Sequence, residues 1–364
     1  MEDIVGRSKW EIDTPALLVD LKKLERNIRR MADFFKNRPA GLRPHFKTPK
    51  TVEIARLQLR AGARGITCAK VSEAEVLVEG GVTDILIANE VAGRAKAARL
   101  AELNRRADVK CAVDDSLQVA ALSEAAAQAG VTIGVVVDVY VGLPRCGVRP
   151  EEAAGLAAQV AKADGLRLAG VMGYEGHVVS LEDPDERRAE AEKSMAALVQ
   201  AAESLRAAGL SCEIVSGGGT GTYNVSGVFP GVTEIQAGSY CLMDVKYAKI
   251  MPEFEKAATI LATVCSKAPA LPGWTVTDAG MKSMTREFGL PELIGVPDTR
   301  TVLLSEEHSQ LQTEGGESGL EVGDKVEFYP SHICTTINLH ERMYVLENDR
   351  VAGVWPILGR GRSQ

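Results

Sequence analysis

Short hydrophobic runs alternate with longer amphipathic stretches over the first two thirds of the chain. In the longer stretches, apolar residues recur every three or four positions, which predicts helices. The short runs are rich in β-branched residues, which predicts strands. The main predicted helices cover residues 22–36, 51–61, 72–79, 116–129, 150–163 and 186–208. The predicted strands cover residues 42–47, 65–70, 84–89, 109–114, 132–139, 166–174, 212–216 and 234–240.

Eight strands that alternate with helices indicate a parallel sheet covered by helices, hence an α/β protein. Their number and spacing are typical of a (β/α)8 TIM barrel, which we place at residues 22–254. A doubly wound open sheet is the alternative. The barrel is favoured because no Gly-x-Gly-x-x-Gly motif follows the first strand.

The pattern changes after about Glu255, where long helical stretches stop and strand-like runs continue. Gly-Gly and Asn-Asp turns separate these runs, so residues 255–364 are expected to form a mostly antiparallel β domain. Residues 14–20 are also strand-like and precede the barrel. We therefore expect the N-terminal segment, residues 1–21, to join the β domain.

Composition narrows the range of partners and of cellular locations. A formal charge of −7 lacks the basic footprint of nucleic-acid binders. The apolar runs are far shorter than the roughly 18–20 residues that span a bilayer, so no membrane partner is expected. The polar N-terminus does not resemble a signal peptide, and seven scattered cysteines fit a reducing compartment. We expect a cytoplasmic protein.

Lys47 closes the first predicted strand, in the stretch Arg43-Pro44-His45-Phe46-Lys47. A buried ammonium is costly, so a lysine here is unusual unless it has a chemical task. Such an amine suits imine formation with a carbonyl compound. The ordinary alternative is a lysine whose ammonium reaches solvent from the mouth of the barrel.

Glycine-rich turns follow the last two predicted strands of the barrel. Ser216 is followed by three glycines, Thr220, Gly221 and Thr222, and Gln236 is followed by Ala237, Gly238, Ser239 and Tyr240. Backbone N–H groups and hydroxyls in such turns can bind an anion. Loops at this position in TIM barrels frequently bind phosphate. A flexible glycine turn is the alternative interpretation.

His332 and Cys334 form the most notable pair in the C-terminal region. Two residues apart on an extended segment, their side chains would project to the same side. Imidazole and thiolate together suit a metal such as zinc, with coordination positions left for water or substrate. A buried cysteine beside a hydrogen-bonded histidine is the structural alternative.

A lysine, a phosphate cradle and an arginine on the same face, Arg145, together suggest pyridoxal phosphate. With these residues, the chain resembles the D-threonine aldolase and D-serine dehydratase family of fold-type III pyridoxal-phosphate enzymes, whose barrel is alanine-racemase-like. The resemblance runs along nearly the whole chain. Its most specific stretches are residues 43–47, 145–148, 217–221, 234–240 and 278–283.

The resemblance implies a role for each matching residue. Lys47 would carry the cofactor as a Schiff base, and Arg145 would contact the pyridine nitrogen. His332 and Cys334 would hold a divalent metal at the mouth of the active site. The residues expected to hold the phosphate are Tyr174, Gly218, Gly219, Thr220, Gly238, Ser239 and Tyr240, and His45, Ser216 and Gln236 are further expected cofactor contacts.

Two features depart from the aldolase pattern. Aldolases usually carry His-x-Asp as the metal pair, whereas His-x-Cys is typical of the dehydratase branch and favours zinc over manganese or magnesium. After Tyr174, aldolases have a histidine, and this chain has Glu175. We expect Glu175 to act as the catalytic base, with His177 as the next candidate. A salt bridge to an arginine is the structural alternative for Glu175.

The predicted function is therefore a lyase that depends on pyridoxal phosphate and a divalent metal and cleaves D-β-hydroxy-α-amino acids. The favoured reaction converts D-threonine to glycine and acetaldehyde. A dehydratase that gives a 2-oxo acid and ammonia is the first alternative. An amino-acid racemase and a non-catalytic carrier of the cofactor are further alternatives. The family also implies a homodimer.

Overall fold

The computed structural model describes residues 4–364. The strands, in chain order, are β1 (Ala16–Asp20), β2 (Gly41–Leu42), β3 (Ile66–Cys68), β4 (Asp84–Glu90), β5 (Asp108–Val113), β6 (Ile133–Asp138), β7 (Leu166–Met172), β8 (Ile214–Gly217), β9 (Glu234–Ile235), β10 (Ala258–Ser266), β11 (Trp274–Thr277), β12 (Glu292–Ile294), β13 (Thr299–Leu304), β14 (Ser309–Thr313), β15 (Lys325–Tyr329), β16 (Arg342–Glu347) and β17 (Arg350–Pro356). The α-helices are α1 (Leu21–Phe35), α2 (Val52–Arg60), α3 (Val71–Glu79), α4 (Arg94–Leu103), α5 (Ser116–Ala129), α6 (Ala153–Lys162), α7 (Pro184–Ala207), α8 (Tyr223–Ser226), α9 (Val245–Ile250) and α10 (Ile333–Ile337).

Strands β2 to β9 form one parallel sheet, in the order β2-β9-β8-β7-β6-β5-β4-β3. An isolated parallel bridge between His45 and Thr67 joins its two ends. At this bridge the Phe46 N–H donates to the Thr67 carbonyl at 2.7 Å, and the Thr67 N–H donates to the Pro44 carbonyl at 2.9 Å. The ring of strands is therefore closed. The predicted TIM barrel is confirmed over the open sheet.

The other strands form a second, mostly antiparallel sheet. It includes β1, which pairs antiparallel with β10 and parallel with β16, so the described part of the N-terminal segment joins this sheet through β1. The chain divides into two compact units, and the break falls after Gly238 rather than at the predicted 254/255. The β unit comprises the residues up to Arg30, Thr48–Glu53 and Ser239–Gly361, and the barrel unit comprises Met31–Lys47, Ile54–Gly238 and Arg362–Gln364.

Several strands are shorter than the hydrophobic pattern predicts. Strand β2 ends at Leu42, and Lys47 lies in the turn that follows. Pro44 has no N–H to donate to the neighbouring strand, which weakens the ladder at this point. Strand β9 ends at Ile235, and Ser239–Cys241 forms a 3-10 helix. The sequence analysis also missed α4, although its alanines, arginines and leucines are strong helix formers.

Two further features concern the helices and the cysteines. Among the described residues, no helix has both the length and the apolar character needed to cross a membrane. The seven cysteines are free thiols.

Candidate active site

Lys47 and Arg145 converge on one aromatic ring in the barrel unit. The Lys47 Nζ atom lies 5.3 Å from the centre of the Tyr174 ring, and the Arg145 Cζ atom lies 5.6 Å from the same centre. The Lys47 backbone N–H donates to Nδ1 of His45 at 3.3 Å, which fixes the turn that carries the lysine. The structure thus brings together four residues that the sequence analysis named separately.

Glu175 is buried beneath the glycine-rich turn after β8. Its side chain has no solvent exposure. Oε1 accepts hydrogen bonds from the hydroxyls of Thr222 at 2.6 Å and Ser226 at 2.7 Å, and Oε2 accepts the Gly218 N–H at 3.1 Å. These three hydrogen bonds, rather than the salt bridge to an arginine that was the structural alternative, hold the Glu175 side chain.

This setting does not favour Glu175 as a general base. A base must offer a lone pair within reach of the substrate proton, and both oxygens of Glu175 already accept donors inside the protein. The same contacts give the carboxylate a different task. It ties the start of the glycine turn to α8, because Thr222 caps that helix and Ser226 ends it.

The glycine turn uses its own backbone amides internally. The Gly218 N–H goes to Glu175, and the Gly219 N–H goes to the Thr222 hydroxyl at 3.1 Å. Gly218 has a φ of +73°, and a Cβ there would lie 2.7 Å from Cδ1 of Ile235, so the turn requires glycine. Phosphate binding by these two amides stays a prediction, and their hydrogen bonds show that they first serve the turn.

The remaining polar groups of the barrel unit fit a phosphate-bearing aldehyde cofactor. Ser216 is fully buried, and its hydroxyl accepts a hydrogen bond from Nε2 of Gln236 at 2.9 Å. A Cβ on Gly219 would lie 3.3 Å from the Tyr174 ring, so the glycine lets the turn approach that ring. An amine, a guanidinium and hydroxyls are among the donors that pyridoxal phosphate requires.

His177 is exposed on the segment that follows β7. A Cβ on Gly142 would lie 2.6 Å from the His177 ring, so the imidazole packs closely over the loop that carries Arg145. Of the two predicted bases, His177 is exposed to solvent, whereas Glu175 is buried.

An acidic cluster, which the sequence analysis missed, lies beside Arg145. Ligand-type atoms of Glu90, Asp114 and Cys146 lie within 4.8 Å of one another. Asp138, the last residue of β6, is 3% exposed. Its burial, its hydrogen bond to Glu90 and the Glu90 charge raise the pKa of Asp138 to about 8, so this carboxyl holds a proton at neutral pH.

His332 and Cys334 lie at the start of a helix, which corrects the predicted extended segment. His332 is the N-cap of α10, with φ −139° and ψ 115°, and Cys334 lies within the first turn. The two side chains nevertheless meet, because the imidazole is hydrogen-bonded to the thiol. The buried carboxylate of Asp244 fixes this segment by accepting the Ile333 N–H at 3.0 Å.

The thiol of Cys334 is set among hydroxyls. Its Sγ lies 3.1 Å from Oγ1 of Thr48 and 3.3 Å from Oγ of Ser239. Burial alone would raise its pKa, but the hydrogen bond to His332, the His332 charge and these hydroxyls hold the pKa below its usual value. Burial alone would likewise lower the pKa of His332, but the Cys334 contact raises it to about 9. A cysteine sulfur beside a histidine ring is a donor set that suits zinc.

The structure also gives the positions of predicted phosphate-binding residues outside the glycine turn. Tyr240 is fully buried, with its ring centre 5.7 Å from that of Phe254. Phosphate binding by Gly238, Ser239 and Tyr240 stays a prediction, as does phosphate binding by Thr220.

Sequence reasoning also missed Glu287, whose Oε1 lies 2.7 Å from Nδ1 of His332. The two residues are 45 positions apart, so no local motif could have paired them.

Two family models cover most of the chain. Residues 19–245 match the alanine racemase N-terminal domain, and residues 257–346 match a putative serine dehydratase domain. The chain is 38% identical to a 3-hydroxy-D-aspartate aldolase from Paracoccus denitrificans, over 98% of this chain and 95% of the relative. It is also 38% identical to a D-threonine aldolase from an Arthrobacter species, over 97% of this chain and 94% of the relative.

Solved structures show the same relationship. D-threonine aldolase from Filomicrobium marinum matches with a TM-score of 0.94 and 41% identity, over 99% of this chain and 98% of that one. D-threo-3-hydroxyaspartate dehydratase from Delftia sp. HT23 matches with a TM-score of 0.87 and 30% identity, over 96% and 98% of the two chains. The chain therefore belongs to the alanine-racemase-like family of D-threonine and 3-hydroxy-D-aspartate aldolases, a family of lyases whose membership implies pyridoxal phosphate as cofactor.

Proposed function

We propose that the protein cleaves D-β-hydroxy-α-amino acids between Cα and Cβ, with D-threonine giving glycine and acetaldehyde. The observation that carries the proposal is the convergence of Lys47 and Arg145 on the Tyr174 ring. It is supported by near full-length similarity to aldolases. Pyridoxal phosphate supplies an electron sink for the pair released at Cα.

The barrel unit would hold the cofactor through its converging cations. Lys47 supplies the amine that condenses with the cofactor carbonyl, and Arg145 supplies a positive charge beside the ring. Tyr174 presents an aromatic face to both cations, which limits how far each can move away from the site. Glu175 keeps the glycine turn in the shape that this arrangement needs.

We assign the divalent metal to His332 and Cys334. Two solved structures of the related D-threo-3-hydroxyaspartate dehydratase carry alanine at a histidine and at a cysteine two positions further on, and the second is described as the metal-free form. This chain has the same spacing. A divalent metal supplies Lewis-acid polarisation of a hydroxyl, and the soft thiolate favours zinc over magnesium or manganese.

The proton from the β-hydroxyl requires an acceptor, and we assign that role to His177 ahead of Glu175. The Glu175 oxygens are occupied by Gly218, Thr222 and Ser226. The His177 imidazole is exposed. An exposed imidazole can approach a substrate hydroxyl and accept its proton.

Dehydration to a 2-oxo acid and ammonia is the second candidate function. The His-x-Cys pair favours it, because the histidine and cysteine replaced in D-threo-3-hydroxyaspartate dehydratase have the same spacing.

Product analysis with D-threonine separates the two reactions. We expect equimolar glycine and acetaldehyde from the protein supplied with pyridoxal phosphate and zinc. Formation of 2-oxobutyrate and ammonia instead would establish the dehydratase, and D-to-L exchange would establish a racemase. The Lys47→Ala variant is the control for background reaction, and D-threo-3-hydroxyaspartate should be compared as a second substrate.

Metal removal tests the assignment to His332 and Cys334. Dialysis against a chelator should abolish turnover and leave the yellow colour of the bound cofactor, because the cofactor is held by the barrel unit. Zinc should restore activity. Full activity in protein shown to be free of bound metal would contradict a Lewis-acid role.

We further propose that the protein works as a homodimer in the cytoplasm. The free cysteines suit a reducing compartment, and a net charge of −7 gives no sign of nucleic-acid binding. Light scattering on the purified protein would measure the oligomeric state.

A further inference from the structure

The imidazole of His332 is held on one edge and on one face. On the edge, Oε1 of Glu287 lies 2.7 Å from Nδ1. On the face, the ring of Phe288 stacks with its centre 4.2 Å away and an interplanar angle of 25°. Two consecutive residues of one segment therefore fix both the position and the plane of this side chain.

The carboxylate of Glu287 is itself held in place by hydroxyl groups. The Thr335 hydroxyl donates to the same Oε1 that contacts His332. Oγ1 of Thr335 lies 2.7 Å from Oγ1 of Thr285, and the Thr285 N–H donates to Oγ1 of Thr336 at 3.2 Å. The hydroxyl of Ser331 closes the network by donating to the Thr285 carbonyl at 2.9 Å. These bonds link the segment that carries Glu287 to helix α10.

The contact between Glu287 and His332 favours one tautomer of the imidazole. A carboxylate accepts a proton on Nδ1, so the neutral ring carries its hydrogen there and its free lone pair on Nε2. The two nitrogens point in different directions from the ring. When a metal displaces the remaining proton, the lone pair that binds it is therefore on Nε2, on the side of the ring away from Glu287.

We propose that Glu287 is a positioning residue for the metal site: it holds the Nδ1 proton of His332 and so presents Nε2 to the metal, while Phe288 fixes the plane of the ring. This inference rests on the metal assignment of the proposed function. Glu287 acts through His332 and is not a metal ligand. Carboxylates that hold a ligating histidine typically contribute 10–100-fold to metal affinity.

Zinc affinity of the metal-depleted protein, with its pyridoxal phosphate retained, tests the proposal. Competition with a chromophoric chelator gives the dissociation constant without relying on turnover. We expect Glu287→Ala to weaken zinc binding about 10–100-fold. Glu287→Gln should stay within a few-fold of the parent protein, because its amide oxygen still accepts the Nδ1 proton. Phe288→Leu should weaken binding in the same direction by a smaller factor.

Glu292→Ala is the matched control, since Glu292 lies in the same unit and pairs with Lys256 at 2.6 Å. It should bind zinc as the parent protein does. The melting temperature of the metal-free Glu287→Ala protein should equal that of the metal-free parent, and excess zinc should restore its turnover. A purely structural role for Glu287 would lower that melting temperature and would not be corrected by zinc.

Three results would overturn the positioning role. Zinc affinity within twofold of the parent in Glu287→Ala would show that the carboxylate does not position His332. Loss in Glu287→Gln as large as in His332→Ala would make Glu287 a ligand. If His332→Ala itself binds zinc normally, the metal assignment fails and the role of Glu287 fails with it. If only Glu287→Ala is normal, the metal assignment stands.

Discussion

The two ends of the barrel strands arrange charge in opposite ways. Near the N-terminal ends, the buried Arg43 guanidinium pairs with Glu234 at 2.9 Å and with Asp84 at 2.7 Å. Asp84 also pairs with Lys110 at 2.8 Å. Opposite charges alternate there.

At the C-terminal ends, two cations face the same side chain. Lys47 and Arg145 both point at the Tyr174 ring. Two cations directed at one ring repel each other, and the acidic cluster beside Arg145 offsets part of that repulsion, whereas alternating charges stabilise one another. Converging cations are typical of a ligand site, and alternating charges are typical of a structural network. The variants below test this comparison.

Lys47→Ala should have the largest effect and should act on chemistry alone. Loss of the amine should lower kcat by about 10⁴-fold or more, as expected when a covalent nucleophile is removed. The yellow colour should disappear as well. The free energy of unfolding of the cofactor-free protein should change by less than about 1 kcal/mol. Borohydride reduction and peptide mapping would contradict the assignment if the label were found on Lys50 or Lys282.

Arg43→Met should lower the free energy of unfolding and leave the chemistry unchanged, the reverse of Lys47→Ala. It leaves Glu234, which is 2% exposed, without its cation, and breaking such a buried pair costs about 3–5 kcal/mol. Urea denaturation should measure the loss, while turnover per folded molecule stays close to that of the parent protein. Arg105→Met, which removes an exposed pair with Glu102, should cost less than about 1 kcal/mol. Equal costs for the two variants would mean that the buried network contributes no special stability.

Glu175→Gln tests whether the carboxylate under the glycine turn shapes the site or performs chemistry. We expect a stability loss of about 1–3 kcal/mol, because the hydrogen bonds to the charged group are weakened. Turnover should fall only a few-fold, with an unchanged pH profile. A loss of about 100-fold with a shifted profile would restore Glu175 as the general base, and His177→Ala should then have little effect.

Asp138→Asn should have the smallest effect at neutral pH, because burial and Glu90 already keep Asp138 protonated. The folded pKa of about 8 exceeds the ordinary 3.8, so the folded state binds more protons between these values. Stability of the parent protein should therefore fall as pH rises through this window, and the variant should lack that part of the decrease. Parallel unfolding curves from pH 4 to pH 8 would contradict the raised pKa.

The hydrophobic pattern was sufficient for the barrel and for the second sheet. Alternation of buried strands and amphipathic helices is a local property of the chain, and burial of apolar surface acts on it directly. The pattern therefore located the strands, and with them the segments after the strands that carry Lys47, the glycine turn and Arg145. Strand lengths were less well predicted, because Pro44 and the 3-10 turn at Ser239 interrupt ladders that the apolar pattern continues.

The sequence supplied candidate residues for the site but not the contacts between them. The sequence by itself determined that Lys47, His332 and Cys334 are present at suggestive positions. Only the tertiary structure decided that Glu175 binds Thr222 and Ser226, which are 47 and 51 positions away, and that His332 caps a helix beside Glu287. Hydrogen bonds between distant side chains depend on how whole elements pack, and no periodicity along the chain encodes that packing.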